Sequence, residues 1–254
     1  MKIVVLIKQV PDTWAERRLD PTSGRLDRDF SERVVDEVGE RAAEIALGYK
    51  DRMKDAEVVA MTMGPSTATD AVRRVLSMGA DSAVHVLDEA LAGADALATA
   101  RALSAAIATV APDLVIAGNE STDGRGGIVP AMIAEALGWP ALTCLDEVEV
   151  SSDHVSGWRS SDEARTRLSS TLPAVVSVTE RAAEPRFPSM KGILGAKRKP
   201  LTVLTLTELG RTDDAASIVV SARERPARTA GRVIVDEGAA AEELVEFLVA
   251  ERLA

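Results

Sequence analysis

At residues 113–137 the sequence is DLVIAGNESTDGRGGIVPAMIAEAL. An apolar run, Asp113–Ala117, leads into a glycine-rich segment of ten residues, Gly118–Gly127, and then into a second apolar run, Ile128–Leu137. A buried strand, a glycine-rich turn and a helix in this order form the repeating unit of parallel α/β sheets. We therefore predict a strand, a loop and a helix for this stretch.

Three similar units precede it. The predicted strands are Lys2–Lys8, Glu57–Met63 and Ser82–Leu87, and the predicted helices are Asp36–Lys54, Thr67–Met78 (with Gly79 as its C-terminal cap) and Asp95–Val110. The first strand is continuously apolar from Ile3 to Ile7, which is typical of a strand covered on both faces. Four successive strand–helix units predict an α/β fold with a doubly wound, mainly parallel sheet.

The pattern changes after Pro140. The segments Leu142–Val150, Val155–Ser160 and Thr166–Ser170 predict a small antiparallel addition, and Ala174–Val178 a further buried strand. We predict a core over residues 1–205 and a C-terminal arm over residues 206–254 that ends in a helix, Ala240–Leu253. Because Arg211–Val235 contains few residues suited to a core, we expect this part of the arm to lie on a partner.

Composition excludes several classes of function. The net charge of −10 disfavours nucleic-acid binding, since phosphates would be repelled. The single cysteine, Cys144, excludes a disulfide framework, and His85 and His154 alone leave few ligands for a metal. We expect Cys144 and His85 in the core and His154 at the surface. No spacing indicates a nucleophile with its base, which argues against a hydrolase.

The sequence also lacks the marks of a membrane or exported protein. No window approaches the roughly 18 uninterrupted apolar residues that read as a membrane-spanning helix. The first ten residues lack the basic, apolar and small-residue order of a signal peptide. We therefore expect a cytoplasmic protein with no membrane insertion.

The glycine-rich segment allows two interpretations. Its glycines would let backbone N–H groups turn toward a ligand, and the helix that follows would offer its positive end to a phosphate. The segment is neither a GxGxxG fingerprint nor a Walker loop. The alternative is an ordinary connection with capping groups. Two further loops would share the same edge of the sheet: the corner Met63–Ser66, where Ser66 or Thr67 suits a helix cap, and Lys8–Thr13.

A second candidate lies in a basic segment, Glu184–Pro200, with the sequence EPRFPSMKGILGAKRKP. Apolar residues such as Phe187 and Met190 stand among lysines and arginines of an otherwise acidic protein. An apolar knob within a basic ring is what a partner-docking segment would present. The alternative is a short amphipathic helix that packs down and exposes a solvated basic face.

Taken together, the chain resembles the β subunit of an electron-transfer flavoprotein. The matching stretches are IVVLIKQVPD (Ile3–Asp12), ERAAEIAL (Glu40–Leu47), MGP (Met63–Pro65), MGADSA (Met78–Ala83), LVIAGNESTDGRGGIVPAMIAEALGWP (Leu114–Pro140), LPAVVSV (Leu172–Val178), EPRFPSMKGILGAKRKPL (Glu184–Leu201) and RTAG (Arg228–Gly231). They follow one another in the order of the family and cover most of the chain.

The resemblance implies an adenine-nucleotide-binding type of sheet and a heterodimer with an α subunit. That heterodimer carries FAD, bound mainly by the α subunit, and the β subunit holds AMP or a second FAD. Electrons come from acyl-CoA and other dehydrogenases, as in fatty acid oxidation, and pass to a quinone oxidoreductase or the respiratory chain. The chain would then be an electron carrier subunit without substrate turnover of its own.

The resemblance also assigns residues. Cofactor-binding positions are implied at Leu6, Thr13 (in the corner Pro11–Thr13 near the flavin), Asp36, Glu37, Val38, Gly39, Met63, Gly118, Asn119, Glu120, Ser121, Thr122, Asp123, Gly124, Arg125, Gly126, Gly127, Ile128 and Val129. Dehydrogenase-binding positions are implied at Met190, Lys191, Ile193, Leu194, Lys197, Arg198 and Lys199, with Met190 as the central apolar residue.

Three positions depart from the family pattern. Asp36 and Glu37 stand where Asn-Pro is common, and a carboxylate there would repel a phosphate. The glycine- and acid-rich hairpin signature is only partly kept at Arg159–Leu168, and Met190 replaces a leucine of similar volume. Two other classes remain open from the residues alone: a stand-alone adenine-nucleotide-binding enzyme or sensor on the same fold, and a scaffold whose glycine-rich segment binds nothing.

Overall fold

The computed structural model of the chain describes residues 1–211, 215–223, 226, 231 and 233–253. It forms two compact units, Met1–Ala222 and Arg223–Ala254. Parts of the predicted arm, Arg211–Val235, lie outside the described residues. The same is true of the motif RTAG, of which only Gly231 is described.

The strands are β1 (Lys2–Leu6), β2 (Gln9–Pro11), β3 (Arg33–Val35), β4 (Glu57–Met63), β5 (Ser82–Val86), β6 (Leu114–Gly118), β7 (Ala141–Leu145), β8 (Glu147–Val150), β9 (His154–Ser160), β10 (Arg165–Thr171), β11 (Ala174–Val178) and β12 (Leu201–Leu204). The helices are α1 (Glu37–Arg52), α2 (Thr69–Met78), α3 (Ala96–Val110), α4 (Val129–Leu137), α5 (Met190–Ala196) and α6 (Ala240–Ala250).

Within the described residues, seven strands form one parallel sheet in the order β12-β5-β4-β1-β6-β11-β7. Its central strands are buried on both faces because helices cover both: α1, α2 and α5 pack on one side, and α3 and α4 on the other. Ile3, Val4 and Val5 of β1 are completely covered. The predicted α/β fold with a doubly wound parallel sheet is confirmed.

The region after Pro140 differs from its prediction in one respect. We expected Leu142–Val150 to be a single antiparallel strand. In fact β7 is the outer parallel strand of the main sheet, and only β8 joins β9 and β10 in a small antiparallel sheet. The chain turns between them because Cys144 has a φ of +56°, and the Asp146 carboxylate accepts bonds from Ser160 N and Thr179 Oγ1.

Three short strands were not predicted. Strands β2 and β3 form an antiparallel pair around a long polar connection, and β12 extends the main sheet beside β5. The expected helix cap at Ser66 or Thr67 was also wrong. A 3₁₀ turn, Ser66–Ala68, begins this helical region without a side-chain cap, and Thr67 Oγ1 instead donates to Gln9 Oε1 at 2.8 Å. The cap at Gly79 is confirmed.

The second unit contains α6. Its apolar side chains are exposed within this unit, among them Leu244, Val245 and Val249, as are Val233 and Val235 before the helix. In the described part of the chain, no helix combines the length and the apolar character that crossing a membrane requires.

Candidate functional site

Three loops meet at the carboxyl edge of the sheet because their strands, β4, β1 and β6, are neighbours. The reciprocal bonds between Gln9 and Thr67 tie the loop after β1 to the corner after β4. Beside them, Leu6 and Met63 are partly buried against the core on the side of α3 and α4. The two smaller loops noted in the sequence therefore both lie on one side of the glycine-rich segment.

The glycine-rich segment leaves β6 and turns back on itself. The backbone N–H of Asn119 donates to Val178 O at 2.8 Å, and that of Arg125 donates to Ser121 O at 2.8 Å. Gly118 is closely packed, since a Cβ there would come within 3.1 Å of the Val38 side chain, which would have to shift by a few tenths of an ångström. By contrast, Gly126 and Gly127 face open space, with φ at +67° for Gly127. Their backbone is therefore accessible to a ligand.

Asp36 fastens this segment to α1. It is 2% exposed, and its Oδ1 accepts from the backbone N–H of Val38 at 3.1 Å as the helix cap. Its Oδ2 accepts from the backbone N–H and the hydroxyl of Thr122, at 2.7 and 2.9 Å. Asp36 therefore contacts the candidate site through Thr122, 86 positions further along the chain.

Asp123 holds the other side of the segment. Its carboxylate is fully covered and pairs with Lys8 Nζ at 2.7 Å and with the Arg28 guanidinium at 2.9 Å. Burial alone would raise the pKa of Asp123, but the charge of Lys8 and hydrogen bonds from Lys8, Ser121 and Arg28 outweigh it and lower the pKa to about 2. Arg17 adds a bond to Thr122 O at 2.5 Å.

Two buried polar side-chain atoms near the carboxyl ends of the strands have no hydrogen-bond partner among the described residues: Thr62 Oγ1 in β4 and Asn119 Oδ1 after β6. A buried acceptor without a partner costs free energy, so Asn119 Oδ1, at the start of the glycine-rich segment, has room for a donor from a water molecule or a ligand. In addition, no side chain of the described residues caps the N-terminus of α4, whose first turn carries no acidic residue. A phosphate would be favoured there.

The residues implied for the cofactor site thus fall into three groups. Asn119, Gly126 and Gly127 offer unused groups, and Leu6 and Met63 offer partly buried apolar surface. The side chains that bond within the chain or pack against its core are Asp36, Val38, Glu120, Ser121, Thr122, Asp123, Arg125 and Val129. The remainder surround these: Glu37, Gly39, Gly124, Ile128 and, in the β2–β3 connection, Thr13.

Reasoning from the sequence missed two residues that contact the glycine-rich segment, Arg17 and Arg28. Both lie in the β2–β3 connection, which we interpreted as a polar loop. Their clustering with Arg18, Arg25 and Arg33 in an acidic protein is the feature of the sequence that could have pointed to them.

The basic segment forms α5, which is fixed to α2 by its backbone. Arg73 donates to Ala196 O and Lys199 O at 2.7 and 3.1 Å. At Gly192, a Cβ would come within 2.2 Å of the carbonyl oxygen of Ser77, so only glycine fits. Upstream, Arg186 pairs with Glu44 and Asp51, and the hydrogen bonds that it donates to these carboxylates raise the pKa of Arg186.

The opposite side of α5 presents apolar side chains. Phe187, Met190 and Leu194 are 89%, 74% and 71% exposed, and Ile193 is exposed as well. We call these four residues the apolar patch. Around it, Lys191, Lys197 and Arg198 are exposed, and none of them forms an ion pair within the described ranges. A patch of this kind marks a protein-binding surface.

Lys199 differs from the other basic residues. Its Nζ donates to Leu76 O at 2.9 Å and to Ala80 O at 2.5 Å, at the C-terminal end of α2. Burial and the neighbouring Lys50 lower the pKa of Lys199. The ammonium therefore helps to anchor the basic segment.

The remaining candidates have structural contacts. His85 is fully buried and bonds through Nε2 to Gly64 O and through Nδ1 to Thr69 Oγ1, at 3.0 and 3.1 Å. His154 is exposed, and Cys144 is partly buried in β7. Over the described residues, no group of three or more His, Cys, Asp and Glu side chains is placed to hold a metal ion.

Comparison with known proteins gives a consistent result. The family model described as "Electron transfer flavoprotein domain" matches residues 26–209. An electron transfer flavoprotein subunit beta of Mycobacterium tuberculosis is 48% identical over 99% of this chain and 98% of its own length. The subunit of the same name from Megasphaera elsdenii is 31% identical over the whole of both chains. The caffeyl-CoA reductase-Etf complex subunit CarD of Acetobacterium woodii is 33% identical over 87% of this chain and 84% of its own.

Proposed function

The chain belongs to the electron transfer flavoprotein family as a β subunit, and on this premise we propose its cofactors, partners and direction of electron flow. It pairs with an α subunit in a heterodimer whose FAD is held mainly by α. Electrons arrive from acyl-CoA and other dehydrogenases and leave for a quinone oxidoreductase or the respiratory chain. The flavin supplies the redox chemistry, and this chain binds, orients and presents it without substrate turnover of its own. We place it in the cytoplasm.

The observation that carries this proposal is the apolar patch on α5. Three of the four exposed apolar side chains stand on α5, and Phe187 lies just before it; the α5 backbone is bonded to Arg73 of α2, which holds the patch in an ordered position. A preordered patch loses little entropy when it binds a partner. Its ring of Lys191, Lys197 and Arg198 fits an acidic surface on a dehydrogenase. That the relative from Acetobacterium woodii is named for a complex with a CoA reductase supports a partner that handles CoA thioesters.

The glycine-rich segment supports a second binding role, for AMP or for a second FAD. Both ligands carry an adenosine 5′-phosphate. The backbone at Gly126 and Gly127, together with the N-terminus of α4, would hold the phosphate. The buried Oδ1 of Asn119 would accept a hydrogen bond from the adenosine, and Leu6 and Met63 would contact its apolar faces.

The second unit supports the contact with the α subunit. A helix such as α6, with exposed apolar residues Leu244, Val245 and Phe247, gains stability when it buries them. We assign this surface, with the arm of residues 206–254, to the α partner.

Co-expression with an α subunit tests the proposal. We expect a yellow 1:1 complex that releases FAD and one adenine nucleotide on denaturation, identified by mass spectrometry. The chain alone should carry no flavin, and a chain that ends at Ala222 should fold but not form the complex. A stable β subunit that holds FAD without α would refute the proposal.

A further inference from the structure

Asp36 lies at the start of α1, and its carboxylate accepts three hydrogen bonds. It accepts from Val38 N as the helix cap, and from both the N–H and the hydroxyl of Thr122. The carboxylate is almost completely buried, and in the part of the chain that the structure describes it forms no ion pair. Its negative charge is stabilised by N–H and O–H donors and by the positive end of α1.

This arrangement leaves Asp36 little capacity for a ligand. The family resemblance implies that Asp36 contacts the nucleotide, and simple electrostatics implies that its charge repels the phosphate. The hydrogen bonds favour a third role, because they fix the position of Thr122 in the glycine-rich segment. They also take up the Thr122 N–H, whereas the N–H groups of Gly126 and Gly127 make no hydrogen bond to the described residues.

We propose that Asp36 is a positioning residue of the nucleotide site, acting through Thr122 to hold the glycine-rich segment against α1 in its binding conformation. The inference rests on the nucleotide site proposed above and explains why a carboxylate is tolerated beside it. Charge repulsion and positioning predict opposite signs when the charge is removed, so the two roles can be separated.

The test uses the heterodimer with its α subunit, freed of nucleotide, and titrates it with AMP and separately with FAD. In Asp36→Asn, the amide offers one acceptor oxygen and an NH₂ group that would face donors. At least one N–H near the segment loses its partner, so we expect AMP affinity to fall about tenfold. If repulsion between the Asp36 carboxylate and the phosphate were the dominant effect, Asp36→Asn would instead bind AMP more tightly.

Two control variants show whether a change in AMP affinity comes from a general loss of stability or from the loss of a negative charge. Asp95 caps α3 in the same way: it accepts from Ala98 N, and its Oδ2 accepts from the N–H and hydroxyl of Ser217. Because Asp95 is more exposed than Asp36, Asp95→Asn should cost no more stability than Asp36→Asn, and it should not weaken AMP binding. Glu32 lies four residues before Asp36, is exposed, and its side chain has no hydrogen bond or ion pair to the other described residues. Glu32→Gln removes the same charge outside the proposed site, and we expect AMP affinity equal to the parent or tighter.

Thr122 provides a second route if Asp36→Asn folds poorly. Thr122→Val removes only the hydrogen bond from the Thr122 hydroxyl to Asp36 and should lower AMP affinity severalfold. Thr122→Ser keeps the hydroxyl and should retain the parental AMP affinity. The double variant Asp36→Asn/Thr122→Val should lose less than the product of the single effects, because both act on one contact.

Three results would overturn the inference: tighter AMP binding in Asp36→Asn, parental affinity in Thr122→Val, or multiplicative effects in the double variant. A parent heterodimer that neither releases nor binds an adenine nucleotide would overturn the proposed site itself. The two failures are thus distinguishable.

Discussion

The glycine-rich segment and the basic segment use backbone and side chains in opposite ways. In the glycine-rich segment, the side chains of Thr122 and Asp123 bond inward, and the backbone near Gly126 stays open. In the basic segment, the backbone carbonyls of Ala196 and Lys199 are bonded to Arg73, and the apolar side chains stay open. A surface that presents its backbone suits a phosphate, and one that presents side chains suits a protein.

This contrast predicts which kind of substitution harms each surface. Shortening a side chain should damage the basic segment, and adding a side chain should damage the glycine-rich segment. The following predictions test the contrast in order of decreasing effect.

The largest effect is expected for Met190→Ala. Loss of an apolar side chain at the centre of an interface costs about 2 kcal/mol, or roughly 30-fold in affinity. The measurement is electron transfer from an acyl-CoA dehydrogenase to the heterodimer as a function of dehydrogenase concentration. Met53, an exposed methionine at the end of α1, gives the matched control Met53→Ala, which should be silent. Loss of flavin from Met190→Ala with an unchanged dehydrogenase curve would show instead that the segment only clamps the structure.

The second effect is expected for Gly127→Ala. Gly127 and Gly138 share a φ of +67° and open surroundings, so an added Cβ strains the backbone to the same degree at both. Both variants should lose similar thermal stability. Only Gly127→Ala should lose AMP affinity, by about tenfold or ~1.4 kcal/mol. Equal AMP affinities in the two variants would show that the nucleotide does not bind at this loop.

How far the sequence predicts these features depends on the range of the interactions. The buried strands β1, β4, β6 and β11 follow from local runs of apolar residues, which need no knowledge of distant contacts. The end of β7 does not, because the turn at Cys144 depends on Asp146 and on residues of β9 and β11. No glycine or proline marks that turn between Leu142 and Val150, so the sequence pattern did not reveal it.

The same distinction holds within the candidate site. Glycines and exposed apolar residues were visible as patterns, so both surfaces could be predicted. The role of Asp36 could not, since its partner Thr122 lies 86 positions away. Likewise, Lys199 was grouped with its basic neighbours, and only the fold shows its bonds to Leu76 and Ala80.

A third prediction concerns acid. The pKa of Asp123 is about 2, below its ordinary value of 3.8, so the carboxylate contributes stability above about pH 4 that is lost as the pH falls toward 2. Asp123→Asn should therefore lower the unfolding free energy at pH 7 by about 1 kcal/mol, since Lys8 and Arg28 are half exposed and screened. The difference between parent and variant should shrink in urea titrations from pH 5 to pH 3. A difference independent of pH would contradict the ion-pair assignment.

The smallest effect is expected for Lys197→Ala. Lys197 is exposed at the rim of the apolar patch, where a charge acts mainly on the rate of association. We expect about a twofold slower association with the dehydrogenase at low ionic strength and no effect at 0.5 M salt, because salt screens exposed charges. Lys199→Ala is the informative counterpart: its ammonium anchors the backbone, so its loss should weaken docking to the same extent at both salt concentrations. If the effects of both variants on docking depended on salt in the same way, Lys199 would act as an exposed charge at the rim of the apolar patch. Its proposed role in anchoring the backbone would then be wrong.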